Sequence, residues 1–172
     1  PLAVSCTLVG GASPGGMAIA PNGTKRYVAL SGARKISVSD LTALAVLPSL
    51  PIAEQGYALA AGGSNRLYVA PTAANGPLLQ VDATTGATQA QVGPYQVEGR
   101  GFLQISPDRN TLYFADSGIS GSTLNSYDLT MSPTSLLQTS GGNTGSTGAD
   151  LKWSHNRTLL CYTNGQGNRR TS

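Results

Sequence analysis

Short stretches in which apolar and polar residues alternate recur along the chain, and clusters of Gly, Pro, Asn, Asp and Ser separate them. A period of two is typical of β-strands, because successive side chains point to opposite faces of a sheet. Four stretches share one form, a strand, a tight turn and a second strand: residues 17–29, 57–70, 103–115 and 151–164. The pattern therefore predicts four β-hairpins and almost no helix.

The four hairpins have nearly the same internal spacing. The step from the core-facing residue of the first strand to that of the second is eight or nine residues. The pairs are Ile19 and Tyr27, Leu59 and Tyr68, Ile105 and Tyr113, and Trp153 and Cys161. The second-strand positions follow one another after 41, 45 and 48 residues, and one four-stranded β-propeller blade takes ~40–50 residues. This regular spacing indicates repeated blades.

A third strand follows each of the first three hairpins and ends at an acidic residue, Asp40, Asp82 or Asp128. A turn rich in Thr, Gly, Ser or Pro then leads to a fourth strand, for example residues 87–92. We expect the three carboxylates to accept backbone N–H groups where the chain reverses. A residue that the turn requires in every blade needs no metal or catalytic role.

The predicted fold class is all-β, a β-propeller of about three complete four-stranded antiparallel blades with partial blades at both ends. In this register residues 1–172 form a single partial propeller domain. Its predicted parts are the outer strand of a preceding blade (1–10), blades at 14–52, 53–96 and 97–140, and a partial blade at 148–172 that stops after its second strand. Small innermost residues, such as Ala18 and Ala58, would let the strands crowd around an axis.

Three arrangements fit such an incomplete ring: a fragment of a larger propeller, a closed four-blade ring, and half-rings that pair between chains. The closed ring requires the first strand to complete the last blade, and therefore places Cys6 and Cys161 in one sheet. These two cysteines are interpreted as buried free thiols that act as small hydrophobes, with a disulfide as the alternative. Neither belongs to a C-x-x-C motif, so no structural zinc site is expected.

The segment Pro-x-Gly-x-Ala-Ile-x-Pro-x-Gly at residues 14–23, followed by Tyr27 and Val28, resembles the YVTN-type repeat of lactonase-like β-propellers. The resemblance covers nearly the whole chain as four decaying copies. The signature tetrapeptide is eroded at all four places, residues 27–30, 68–71, 113–116 and 161–164. The resemblance implies a ring that in this family usually has seven blades, and it raises lactonase-like or cyclase-like chemistry as a candidate activity.

Composition and charge exclude several classes of protein. Charged residues make up 11% of the chain, and the net charge of +3 is carried by scattered basic residues without an aromatic-rich basic face. We therefore expect no nucleic-acid partner. No apolar run approaches the ~20 residues of a membrane span. Low charge with abundant Thr, Ser, Gly and Ala is common in exported bacterial proteins and suggests a secreted, periplasmic or cell-surface location.

The search for catalytic chemistry finds no nucleophile-base pair, no paired carboxylates and no metal cluster. The single histidine, His155, falls in a predicted hairpin turn, where a surface role is expected. The Gly-rich stretch at residues 140–148 lacks the Gly-Lys-Ser/Thr ending of a phosphate-binding loop. No catalytic residue, metal ligand or cofactor is therefore assigned.

Charged residues near the starts of the innermost strands are the best candidates for ligand contact, because loops meet there at the mouth of a propeller channel. The candidates are Glu54, Glu98, Arg100, Asp116 and Asp150. The leading functional hypothesis is a non-catalytic binding or scaffold propeller with a protein or a small polar ligand at this mouth. The alternative is a lactonase-like or cyclase-like enzyme whose site is completed by further blades. The third hypothesis is a structural repeat protein of the cell surface. Further blades or a second chain are expected partners of the end blades.

Overall fold

A computed structural model describes residues 13–97, 100–116, 123–131, 135–140, 148–164 and 169–171. Within these ranges the chain forms fifteen β-strands and no helix. The predicted outer strand at residues 1–10, Cys6, Glu98 and most of the Gly-rich stretch lie outside the described residues.

The strands form four antiparallel sheets in chain order. The first sheet contains β1 (Pro14–Ile19), β2 (Lys25–Leu30), β3 (Lys35–Asp40) and β4 (Ala45–Pro51). The second contains β5 (Gly56–Ala61), β6 (Arg66–Pro71), β7 (Gly76–Asp82) and β8 (Thr88–Val97). The third contains β9 (Gly101–Ile105), β10 (Thr111–Asp116), β11 (Leu124–Asp128) and β12 (Ser135–Ser140). The fourth contains β13 (Gly148–Trp153), β14 (Leu160–Asn164) and β15 (Arg169–Thr171).

Successive sheets meet through their first strands. Strand β1 contacts β5, β5 contacts β9, and β9 contacts β13. The second strand of each sheet also contacts the first strand of the next, as β2 does with β5 and β6 does with β9. Two sheets packed face to face would not bring the first strands of four sheets together in series, whereas sheets placed radially around one axis do. The chain therefore has a propeller-like all-β fold.

Apolar side chains fill the space between neighbouring sheets. The interface of the first and second sheets contains Tyr27, Ile36, Val38, Leu59, Leu67, Val69 and Val81. The interface of the second and third sheets contains Tyr68, Leu78, Leu103, Leu112, Phe114 and Tyr127. The interface of the third and fourth sheets contains Ala115, Leu151, Leu160 and Tyr162, with Tyr113 and Trp153 packed against them.

The Tyr-Val-Ala triplet of the second strand explains why the repeat is recognisable in the sequence. Tyr68 and Ala70 belong to the interface with the third sheet, whereas Val69 belongs to the interface with the first. Side chains alternate across a strand, so a strand covered on both faces needs apolar residues at consecutive positions. The second sheet is thus buried from both sides by its neighbours.

The expectation that Ile19 faces the core is wrong. Ile19 pairs with Arg26, and Ala18 pairs with Tyr27, so Ile19 and Tyr27 lie on opposite faces of the first sheet. The side chain of Ile19 is 52% exposed. The same face reversal holds in the second sheet, where Ala60 rather than Leu59 is the partner of Tyr68.

Strand β1 runs very close to β5, as expected for small residues beside the axis. A Cβ atom added to Gly16 would lie 2.7 Å from the Cα atom of Ala58. No side chain fits in that gap, since a backbone atom cannot move aside as a flexible side chain can. Glycine at this position therefore sets the spacing between the first and second sheets.

The fourth sheet contains a strand that the hydrophobic pattern did not reveal. Strand β15 pairs with β14, with Tyr162 opposite Arg170. The expectation that this blade stops after its second strand is therefore wrong. Three polar residues, Arg169, Arg170 and Thr171, carry no apolar alternation, and only the backbone pairing defines the strand.

The three repeated aspartates form turns as predicted. The Oδ1 atom of Asp40 accepts the backbone N–H groups of Thr42 and Ala43, each at 2.7 Å. Asp82 accepts those of Thr84 and Thr85 at 2.8 Å, and Asp128 accepts that of Thr130 at 2.8 Å. These backbone bonds contribute most to lowering the pKa of Asp40 and Asp82, whereas for Asp128 the Thr130 hydroxyl, which donates to Oδ1 at 2.6 Å, lowers the pKa most and the backbone bond comes second.

Candidate ligand-binding site

The described candidates from the sequence lie at the end of the sheets where the first strands begin, here called the start end. Glu54 precedes β5 and Arg100 precedes β9. Asp116 is the last residue of β10 and pairs with Gly101, the first residue of β9. Asp150 is near the beginning of β13. Antiparallel pairing therefore brings these four positions to one end of the molecule.

Different neighbours hold the charges at the start end. The guanidinium carbon of Arg100 lies 5.7 Å from the centre of the Tyr57 ring, and the Arg100 backbone has a φ of 45° in the left-handed region. Asp150 forms an ion pair with Lys152 at 3.4 Å. The backbone oxygen of Gln55, the residue after Glu54, accepts the backbone N–H of Thr72. The buried hydroxyl of Thr72 has no hydrogen-bond partner in the described part of the chain.

A cavity of about 710 Å³ lies on the axis at the opposite end, where the first strands finish and the hairpin turns follow. We call this end the turn end and the space the axial cavity. All four sheets contribute to its wall, including Ile19 from the first, Ala60 from the second, Ile105 from the third and Trp153 from the fourth. The sequence did not point to this location, because nothing in the repeat distinguishes one end of the axis from the other.

Three cationic side chains line the axial cavity: Arg109, Lys152 and Arg157. Among the described residues that line it there is no Asp or Glu. The polar remainder is neutral and includes Gln104, Ser106 and Ser154. The cavity therefore carries a positive field that a low-dielectric wall strengthens.

Both arginines occupy the position that Gly23 holds in the turn of the first sheet. Gly23 has a φ of 73°, Arg109 of 66° and Arg157 of 57°. A non-glycine residue in the left-handed region costs of order 1–2 kcal/mol. Other turns contain left-handed residues as well, such as Leu44 and Asn75, so the conformation belongs to the turn geometry and the charge of the two arginines is what distinguishes these turns. Two arginines at a glycine position are the signal by which the sequence could have indicated this site.

Side-chain hydrogen bonds hold the two arginine-bearing turns. Asp108 accepts the Ser106 hydroxyl at 2.5 Å and the backbone N–H of Asn110 at 3.1 Å, and the first of these contributes most to lowering its pKa. In the fourth sheet Asn156 takes the same place and accepts the Ser154 hydroxyl at 2.7 Å. The carboxylate of Asp108 is thus engaged within its own turn.

The guanidinium of Arg109 crosses from the third sheet to the first. Its Nη2 atom donates to the backbone oxygen of Pro21 at 3.0 Å. A smaller cavity of about 390 Å³ lies between the first and second sheets at the same end, and Arg109 lines both cavities. Lys25 and Arg66 line the smaller one. Arg109 therefore stands where the two cavities meet.

Trp153 forms a fixed part of the wall of the axial cavity. Its Nε1–H group donates to the backbone oxygen of Ile105 at 2.8 Å. Its ring meets Tyr113 edge to face, with centroids 5.7 Å apart and an interplanar angle of 79°. Trp153 is the only tryptophan of the chain. A bound ligand would therefore change the surroundings of a single fluorophore.

The other residues singled out in the sequence have plain surroundings. His155 is exposed in the turn between β13 and β14, and Cys161 in β14 is a half-buried free thiol. Over the described ranges, His, Cys, Asp and Glu form no group of three that could hold a metal ion. Nor does any helix there have the length and hydropathy to cross a membrane.

Comparisons with known proteins support the fold. No family model and no curated protein matches the chain. Among solved structures, hydrazine synthase of Kuenenia stuttgartiensis, a β-propeller-containing protein, superposes with a TM-score of 0.72 at 16% sequence identity. The superposition covers 88% of this chain and 43% of that one. This chain spans less than half the length of its structural neighbour, and the likeness concerns the fold alone.

Proposed function

We propose that this chain is a non-catalytic binding β-propeller that takes a small ligand in its axial cavity. The observation that carries the proposal is the cavity itself, about 710 Å³ in volume and bordered by the first strands of all four sheets. Ligand sites in proteins usually measure ~300–1,000 Å³ and lie where several rigid elements converge. The first strands belong to hydrogen-bonded sheets and provide a preformed wall, so little ordering is needed on binding.

The charges at the start end provide a second contact surface in this proposal. Glu54, Arg100, Asp116 and Asp150 are placed there by four different strands or strand ends. Arg100 lies over the ring of Tyr57, and such stacking fixes the direction of an arginine side chain. A protein loop or a polar ligand at the channel mouth would use this surface, which gives the chain its scaffold role.

The ring arrangement belongs to the same proposal. Extensive contacts between the described strands of different sheets join only sheets that follow one another in the chain. We infer an arc of a larger propeller rather than a closed ring of four blades, because the sequence resembles the YVTN-type, lactonase-like repeat, whose rings usually have seven blades.

A thermal-shift screen tests the binding function. A ligand that binds only the folded state raises Tm, because it adds RT ln(1 + [L]/Kd) to the free energy of unfolding. We expect a panel of neutral, cationic and anionic small molecules to contain compounds that raise Tm by several degrees at 100 times Kd.

The same samples separate binding from catalysis. Each stabilising compound is incubated with the chain and followed by mass spectrometry, with lactones included in the panel. A compound recovered unchanged supports a binding module. Steady consumption of a stabilising compound would contradict the proposal and favour the lactonase-like or cyclase-like alternative.

A further inference from the structure

We infer that the ligand of the axial cavity is a small organic anion, bound through a carboxylate or phosphate group at the turn end. This inference rests on the proposed binding function and names the class of ligand. Carboxylate and phosphate share the chemistry that matters here, negatively charged oxygens that accept hydrogen bonds from guanidinium and ammonium groups.

The first step of the inference is the charge of the wall. Arg109, Lys152 and Arg157 line the cavity, and no carboxylate joins them among the described lining residues. The side chain of Arg157 has no hydrogen-bond or ion-pair partner over the described ranges. Lys152 forms an ion pair with Asp150 at 3.4 Å, and both side chains are largely exposed. The net charge of the lining is positive, and an anion is the complementary occupant.

The second step is geometry. An arginine presents several N–H donors in a rigid plane that matches the two oxygens of a carboxylate or phosphate. Arg109 is anchored at one side by its bond to Pro21 O, which uses Nη2 and leaves further donors of the guanidinium. Because both arginines start from tightly bonded turns, their backbones need not rearrange to meet an anion.

The third step concerns the rest of the ligand. Met17 and Ile19 are 58% and 52% exposed and line the cavity together with Trp153. A bare inorganic ion would leave this apolar wall in water. A volume of about 710 Å³ also exceeds the space that one phosphate or carboxylate group fills. An anionic group attached to an apolar body satisfies both parts of the wall.

The fluorescence of Trp153 offers a direct test with matched probes. The complete chain is titrated with phenyl phosphate and with phenylacetate, which carry a similar ring and a phosphate or a carboxylate group. Benzyl alcohol and benzylamine serve as neutral and cationic controls. We expect a saturable change in Trp153 emission with one or both anions and none with the controls. Binding should weaken as salt rises from 50 to 500 mM, because the attraction is screened.

Substitutions then locate the anion. Arg157→Gln should weaken binding by about tenfold or more, since one hydrogen-bonded charge contact is lost. Arg157→Gly removes the same charge while relieving the left-handed backbone, and protects the test against misfolding. Arg34→Gln is the matched control, because Arg34 is an exposed residue in the turn between β2 and β3, at the start end. It should bind as the unmodified chain does.

The outcomes distinguish the inference from the function on which it rests. If neutral or cationic compounds bind without turnover, or if both Arg157 variants bind anions with unchanged affinity, the anion site is wrong and the binding function stands. If an anion binds in an Arg157-dependent way and is consumed, the anion site stands and the non-catalytic function is wrong. Phenyl phosphate alone or phenylacetate alone as the effective probe identifies which anionic group the site prefers.

Discussion

The first and second sheets differ at one position of the repeat. Met17 in β1 pairs with Val28 as Leu59 in β5 pairs with Val69, so the two occupy corresponding places, yet Met17 is 58% exposed and Leu59 is 4% exposed. The second sheet has a neighbour on both faces, whereas among the described strands the first sheet packs only against the second. The repeat makes this position apolar in every blade, and the presence of a preceding sheet decides whether it is buried.

Other residues on the same face of the first sheet repeat this contrast. Ile19 pairs with Arg26, and Val46 pairs with Ser39, which places them on the face of Met17. Their exposures are 52% and 55%. Exposed apolar side chains gathered on one face mark a contact surface. The exposed side chains of this face are on β1 and β4, whereas Val28 of β2 and Ser37 of β3 on the same face are buried.

The largest expected effect comes from substitutions at the two positions compared. Leu59→Ala should lower the free energy of unfolding by ~2–5 kcal/mol, because it opens a cavity between the first and second sheets. Met17→Ala, the matched change at the same repeat position, should cost ~1 kcal/mol or less. Urea unfolding of both variants measures the difference. Equal losses would show that a partner covers the open face of the first sheet in solution.

A second change sharpens the comparison at the axis. Gly16→Val should destabilise the chain by ~1–3 kcal/mol, because the new side chain meets the backbone of Ala58 and forces β1 away from β5. Gly63→Ala is the control, since a Cβ atom at Gly63 meets nothing within 4 Å. Its effect should stay within ~0.5 kcal/mol. Thermal unfolding compares the two, and an undisturbed Gly16→Val chain would contradict the close approach.

The smallest expected effect concerns the repeated turns, which should not depend on neighbouring sheets. Backbone N–H groups lower the pKa of Asp40 and Asp82 in the folded state. A lowered folded pKa stabilises the fold above the ordinary carboxyl pKa of about 3.9, and this contribution disappears as pH falls through the folded value. Stability should therefore fall below about pH 4.

Asp40→Asn and Asp82→Asn should each reduce the loss of stability at low pH. The two effects should be similar, although Asp40 lies in the first sheet and Asp82 in the second. Urea midpoints between pH 7 and pH 2.5 measure the effect. Glu54→Gln changes the same charge outside the turns and serves as control. An effect confined to Asp82 would mean that turn stability also depends on neighbouring sheets.

Features of the fold that depend on local chemistry were predictable. The Asx turns at Asp40, Asp82 and Asp128 follow from hydrogen bonds within two or three residues. The hairpins follow from alternation and turn residues, and the radial arrangement follows from apolar residues on both faces of Tyr-Val-Ala strands. Strand β15 was missed because backbone pairing alone defines it. The axial cavity was missed because residues far apart in sequence build it.

The sequence by itself determined the strands, the turns and the blade-sized spacing of the repeat, because each depends on side chains that are near one another in sequence. Only the tertiary structure decided that Met17 is exposed and Leu59 buried. It also brought Arg109 within 3.0 Å of Pro21 O and placed Arg157 and Trp153 around the same cavity. The reason is physical: burial and the field inside a cavity depend on which sheets meet, and contacts between distant residues are not encoded in local spacing.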